Sequence, residues 1–187
     1  MEITTVLLII AIVAIFVGSN MLKSTTTASN DIPKTTPINT FISKITDDLY
    51  ISDAANALDY TSLKKLGIKQ ILIVGKELPR HGDLYFKVFH IKIDDTPNEN
   101  IKKFFNSSFN FIKKNKTLVH CAMGVSRSVS IVIAYLMRAK NMSYNDALTL
   151  VKKERSIASP NHGFVKQLMQ YEKELAAKKP ADADDDT

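Results

Sequence analysis

The chain lacks the means to form an internal disulfide, because only one of its 187 residues is a cysteine, Cys121. An oxidising compartment is therefore not indicated, and a thiolate nucleophile would work best in a reducing one. Charge is missing from residues 3–22, and residues 6–17 are continuously apolar, which is long enough to span a bilayer as a helix. The segment also has no polar face, which argues against a helix buried in a soluble core. No lysine or arginine precedes it, only Glu2 is charged there, and a cleaved signal peptide, which usually begins with positive charge, is thereby disfavoured. Lys23 and Lys34 follow, so the positive-inside tendency places the remainder in the cytosol. A lumenal chain would instead present Asn106, Asn115 and Asn141 as glycosylation sequons.

Residues 23–40 are rich in Ser, Thr, Asn and Pro, with Pro33 and Pro37 discouraging regular structure, and read as a flexible tether without a docking motif. What remains is enough for one domain with a full-sized core. The composition, 45% hydrophobic and 24% charged, is that of a globular protein rather than a disordered one. Net charge is +6 although four of the nineteen acids lie in the last six residues, and a basic surface suits phosphorylated groups or an anionic membrane face. The expected organisation is a membrane anchor over 1–22, a linker over 23–40, a globular domain over 41–177 and a solvated tail over 178–187.

Hydrophobic periodicity orders the domain. Ile45, Leu49 and Ile51 suggest a short edge strand, and the fully apolar Ile71-Leu72-Ile73-Val74, bounded by Gly75, a central strand of a buried sheet. A strand from Tyr85 to Ile93 ends at Asp94-Asp95, and Ile101, Phe104, Phe105, Phe109 and Ile112 place an amphipathic helix over residues 98–114. Thr117-Leu118-Val119 is the next strand. Val129, Ile131, Val132, Leu136 and Met137 follow at helical spacing, and two more helices start at a Ser143 cap and after Ser159-Pro160-Asn161. Strand, helix, strand, helix is the α/β pattern of a mostly parallel sheet covered on both faces. Ligands bind such sheets beyond the strand C-termini, where Asp95 and Cys121 both lie.

Cys121 stands in His120-Cys121-Ala122-Met123-Gly124-Val125-Ser126-Arg127-Ser128, between a strand and a helix. Amides in such a loop point inward and the helix turns its positive end to the same spot, so an anion is favoured there. Arg127, six residues on, can add a bidentate pair from its planar guanidinium, and Gly124 can take positive φ. The same field favours thiolate over thiol and arms a nucleophile. An isolated cysteine at a strand end is more often structural; the full constellation reverses that reading.

The motif resembles the His-Cys-x5-Arg-Ser/Thr signature of cysteine-dependent protein phosphatases. Ala134-Tyr135-Leu136-Met137 is similar to the helix of their dual-specificity branch, and the likeness runs from about Ile45 to about Leu175. The resemblance implies a central sheet of about five strands flanked by helices. It also implies Cys121 as nucleophile, with the loop from Ala122 through Met123, Gly124, Val125 and Ser126 to Arg127 holding the phosphate. His120 is expected beneath the loop, orienting it, or else as a satisfied core histidine. Aligning the phenylalanine-rich helix makes Asp95 the general acid, with Asp94 as its immediate alternative, although such pairs before a proline are commonly turn residues. Ser128 matches the hydroxyl that stabilises the departing cysteine, unless it merely caps the helix, and Asn161 a residue that supports the loop from behind.

The expected partners are a phosphorylated protein and, through the N-terminal helix, a membrane. No nucleic acid, metal or other cofactor is expected, and the expected state is a monomer. The loop's uncharged side chains argue against a phosphoinositide, whose phosphatases usually carry lysines there. A catalytically weak phosphoprotein-binding module is the alternative from another class.

Overall fold

A computed structural model describes residues 42–178. The anchor expected over 1–22, the linker over 23–40 and the tail beyond Lys178 lie outside the described residues. Among the described residues no helix is long and apolar enough to cross a membrane.

The domain is a five-stranded sheet in the order β1-β2-β5-β3-β4. The strands are β1 (Ser43–Thr46), β2 (Leu49–Ser52), β3 (Gln70–Val74), β4 (Lys87–Ile91) and β5 (Thr117–His120). Among the described residues only the β1–β2 pair is antiparallel. The helices are α1 (Tyr60–Lys65), α2 (Phe105–Ile112), α3 (Arg127–Ala139), α4 (Tyr144–Glu154) and α5 (His162–Ala177). The α/β expectation and its mostly parallel sheet are thus present.

Strand periodicity divides the core in two. Successive side chains alternate between faces, so Leu49, Ile51, Leu72, Val74 and Val119 join the larger core with α2 to α5. Tyr50, Ile71, Ile73 and Leu118 join Leu63, Ile68 and Phe86 on the other face. The helix α3 is the axis of the larger core: Val129, Ile131, Val132, Ile133, Leu136 and Met137 are all buried. Each contributes about 1.5–3 kcal/mol by leaving water, so a charge at Val132 would break the domain.

Three boundaries differ from expectation. The single edge strand is a hairpin, because Asp47-Asp48 turns the chain and Thr46 pairs with Leu49. The second sheet strand is shorter than expected, since the Tyr85 and Phe86 amides bond to Gly82 O at 2.9 Å and form a turn. The phenylalanine-rich segment is α-helical only over Phe105–Ile112, after a 3₁₀ turn at Lys102–Phe104. There the Lys102 amide is taken by Gln167 Oε1 of α5 at 3.0 Å, which docks the turn against that helix.

The site is assembled where β5, β3 and β4 end. β3 pairs with both β5 and β4, placing Ile73 opposite His120 on one side and His90 on the other. The segment after β4 lies directly on the start of α5. A Cβ at Gly163 would sit 2.0 Å from Pro97 O, so only glycine permits that approach.

Candidate active site

After β5 the chain turns at Cys121 and enters α3 at Arg127. Its backbone groups account for the shape of the turn. Ala122 O accepts from Ala54 N at 3.1 Å and Val125 O from Ser159 N at 2.9 Å. Met123 O and Gly124 O accept from Arg155 Nη2 at 3.1 Å and Arg155 Nε at 2.6 Å. Four successive carbonyls therefore point outward, and in trans peptides the next amides, from Met123 to Ser126, point the opposite way, into the loop. Gly124 has φ +65°, and a Cβ there would lie 2.4 Å from Arg155 and 2.6 Å from Ser52 O. The result is a concave set of donors at the N-terminus of a 13-residue helix, with the chemistry of an oxyanion site.

Cys121 lies at the floor of this set, 1% exposed. Its Sγ is 3.2 Å from both Gly124 N and Ser128 Oγ. Ser128 does not cap α3: the N-cap position is Ser126, and no side chain bonds to the helix amides there. The Ser128 hydroxyl is left to face the sulfur, as the family resemblance implies.

Arg127 is buried and forked by Glu77, with Nη1–Oε2 at 2.7 Å and Nη2–Oε1 at 2.6 Å; Nη1 also lies 3.3 Å from Ile93 O. Burial disfavours the guanidinium charge most strongly. The Glu77 hydrogen bond and the charges of Cys121, Glu77 and Asp95 outweigh it, so the Arg127 pKa is held above its ordinary value. Glu77 responds in the opposite sense: burial pushes its carboxyl up, but the hydrogen bond from Arg127 and its charge bring it below the usual range. Among the described residues Arg127 Nε finds no hydrogen-bond partner, and Asp95 Oδ2 faces it at 3.7 Å.

Asp95 and Asp94 part ways. Asp95 Oδ1 accepts from Ser126 Oγ at 2.7 Å and from Asn161 Nδ2 at 2.8 Å, which fixes the carboxylate at the rim of the loop. Asp94 turns outward to Lys76, 3.5 Å away. Asn161 caps α5 through Oδ1 on Phe164 N at 3.0 Å, while its own amide bonds Ser126 Oγ at 3.0 Å. One residue thereby ties a helix start to both the loop and the acid.

His120 points to the smaller face of the sheet. Its Nε2 is 3.0 Å from His81 Nε2, whose Nδ1 is 3.1 Å from Tyr60 Oη. Burial, and then the neighbouring His81, push the His120 pKa down to about 3, so the ring is neutral across the physiological range. Sequence reasoning missed Arg155, Glu77 and His81, and placed Ser126 in the loop without its hydroxyl's bond to Asp95. Arg155 reads as a helix end, and nothing in its spacing marks it as the brace of the loop. Glu77 and His81 did carry a signal, since they follow the C-terminus of a central strand, where ligand sites form. Among the described residues no group of His, Cys, Asp and Glu is placed to hold a metal ion.

Residues 49–174 match the model of the family described as "Dual specificity phosphatase, catalytic domain". The chain is 40% identical over 136 residues to a probable rhodanese domain-containing dual specificity protein phosphatase of Dictyostelium discoideum, covering 70% of this chain and 29% of that protein. It is 40% identical over 141 residues to human dual specificity protein phosphatase 9, covering 71% of this chain and 36% of that one. It therefore spans about a third of the length of these curated relatives. Among solved structures, the human tyrosine phosphatase-like serine/threonine/tyrosine-interacting protein superposes with a TM-score of 0.69 at 32% identity, covering 73% of this chain and 99% of that one.

Proposed function

The chain belongs to the dual specificity phosphatase family, and on that premise we propose that it is a protein phosphatase acting on phosphotyrosine and phosphoserine or phosphothreonine. The observation that carries the reading is the arrangement of the Cys121–Arg127 loop: inward amides, a sulfur at their base and a guanidinium beside them. Cys121 Sγ attacks phosphorus as a thiolate. The S–P bond forms, the P–O bond to the substrate breaks, and Asp95 delivers its proton to the leaving oxygen. The loop amides and Arg127 hold the three non-bridging oxygens and compensate their charge in the transition state. Asp95 then takes a proton from water as the water oxygen attacks phosphorus. The S–P bond breaks, inorganic phosphate leaves, and Ser128 Oγ, 3.2 Å from the sulfur, hydrogen-bonds the departing thiolate.

His120 and Asn161 act through position, one beneath the loop and one between it and the acid. Phosphoproteins are the favoured substrate class because the loop side chains from Ala122 to Ser126 carry no charge, and Met123 at its mouth is 69% exposed. The family match over residues 49–174 falls inside the proposed catalytic domain, 41–177. A single-pass anchor over 1–22, a linker over 23–40 and a cytosolic domain are proposed from the sequence. Unmodified sequons at Asn106, Asn115 and Asn141 in eukaryotic cells, with the protein retained in alkali-washed membranes, would support them.

A second reading, a phosphoprotein-binding module with weak turnover, draws on the fork by which Glu77 occupies both Nη atoms of Arg127. Hydrolysis of para-nitrophenyl phosphate by the full chain, in the presence of chelator, separates the two. Turnover that is lost in Cys121→Ser supports the enzyme, whereas turnover absent from the wild type, or unaffected by that substitution, removes it.

A further inference from the structure

We infer that His81, itself oriented by Tyr60, is a positioning residue that fixes the tautomer of His120 and through it the first peptide of the cysteine loop. The inference deepens the phosphatase reading and rests on it. Its basis is a continuous line of polar atoms, Tyr60 Oη to His81 Nδ1 at 3.1 Å and His81 Nε2 to His120 Nε2 at 3.0 Å. The rings are held to match: Tyr60 and His81 stack with centroids 6.0 Å apart and planes 17° apart, and His81 and His120 have centroids 5.0 Å apart. Phe86 packs edge-on to Tyr60 at 5.7 Å. Gly82, at φ +85° with Ile71 Cδ1 3.1 Å from any added Cβ, turns the chain right after His81 and seats it on the sheet.

Each of the two contacts holds one proton. With His120 neutral, the line has two internally consistent directions. Running inward, Tyr60 O–H donates to His81 Nδ1 and His81 Nε2–H donates to His120 Nε2, so the single ring proton of His120 sits on Nδ1. Running outward, His120 Nε2–H donates to His81 and Nδ1 is left bare. Among the described residues Nδ1 finds no hydrogen-bond partner of ordinary geometry. The Cys121 backbone nevertheless acts on the ring in the sense that favours protonation, as a carbonyl does and an amide does not. The inward direction answers that carbonyl with an N–H. A Cys121 carbonyl held toward His120 turns the Ala122 amide the opposite way, toward the donors of the loop.

The charged and titratable neighbours of the line come from every side. His81 is faced by Asp83 of its own loop, which favours its charge, and by His90 of β4, which opposes it. Tyr60 meets Asp83 and Tyr85, His120 meets His81 and His90, and Cys121 is faced by Arg127 of α3 and by Arg155 beyond α4. A second proton on His81 leaves the line intact, because both ring nitrogens then donate, one to Tyr60 Oη and one to His120 Nε2.

The test is alkylation of Cys121 by iodoacetamide in the full chain from about pH 5 to about pH 9, a readout of the thiolate that needs no turnover. His81→Leu is expected to slow alkylation at about pH 6 by roughly three- to ten-fold and to displace the curve to higher pH. His81→Gln, whose amide N–H can reach His120 Nε2, restores most of the rate. Tyr60→Phe moves the curve the same way by less, and Tyr60→Phe with His81→Leu is no worse than His81→Leu alone, because the two act in one line. Curves that superimpose on the wild type in both His81→Leu and Tyr60→Phe, or effects that simply add, overturn the inference. If His81→Leu does not fold, Tyr60→Phe decides the matter: a curve displaced to higher pH supports the inference, and one that superimposes on the wild type overturns it. Normal wild-type turnover with superimposed curves removes the line alone. Displaced curves in a wild type that does not hydrolyse para-nitrophenyl phosphate remove the phosphatase reading and leave the line standing.

Discussion

Acid should unfold this domain through His120. The side chain is 1% exposed, and its pKa is pushed down to about 3, against 6.5 for a free imidazole. Because the folded value is the lower one, the unfolded chain binds the proton first. Stability is therefore fully present above about pH 6.5 and is lost as pH falls toward 3. Across that whole window the term amounts to about 5 kcal/mol, a large part of a typical domain's stability. Between pH 7 and pH 4.5 the linkage relation gives a loss of about 2–3 kcal/mol, set almost wholly by the unfolded-state value, because the folded ring is still neutral at pH 4.5. Carboxylates held low in the folded state, such as Glu77 beside Arg127, add losses of their own. Comparison with His120→Gln isolates the imidazole, since those losses are common to both proteins. Urea unfolding at the two pH values should show the wild type losing about 2–3 kcal/mol more than His120→Gln. Equal losses in the two proteins would refute a buried, neutral His120.

Arg155→Met removes the donors to Met123 O and Gly124 O, and should cost about 2–4 kcal/mol in urea unfolding with loss of most turnover; a full-rate enzyme of normal stability would show that the loop holds its shape unaided. Asp95→Asn should lower kcat for a phosphopeptide by roughly 10²–10⁴-fold and remove one limb of the pH–rate profile. Asp94→Asn, which faces Lys76, should leave both nearly unchanged; the reverse ordering would exchange the two residues. Glu77→Gln removes the negative charge that forks Arg127; a like charge about 6 Å from a dianion costs about 1.4 kcal/mol even in water, so inhibition by inorganic phosphate should tighten about tenfold. Weaker inhibition in that variant would mean that Glu77 serves only to order Arg127.

How much of this was legible in the sequence depended on the range of the interaction. The buried run of α3 and the Ser143 cap of α4 could be read from neighbouring residues, and Ser143 Oγ does accept from Asp146 N at 3.1 Å. The cysteine, the arginine and the serine lie within one loop, so their spacing carried them together. Asp95 was reached through the family resemblance, and the geometry sets it on the loop through Ser126 and Asn161. Arg155, His81 and Glu77 escaped because they meet Gly124, His120 and Arg127 from 31, 39 and 50 residues away. No period in the sequence records such meetings; the strand order does, by bringing the ends of β3, β4 and β5 to one edge. The start of α2 was misjudged for a related reason, since the 3₁₀ turn at Lys102–Phe104 is docked by Gln167, 65 residues on.

The proposed mechanism requires Cys121 to become phosphorylated during turnover and Ser128, 3.2 Å from the sulfur, to assist its release. The most direct measurement is intact mass after acid quench of Ser128→Ala turning over para-nitrophenyl phosphate, with the wild type and Cys121→Ser in parallel. Ser128→Ala should accumulate one phosphoryl group, located on Cys121, after a burst of nitrophenol. The wild type should show little, and Cys121→Ser should show neither adduct nor burst. Turnover by the wild type that persists in Cys121→Ser, or a phosphoryl adduct on any other residue, would contradict it.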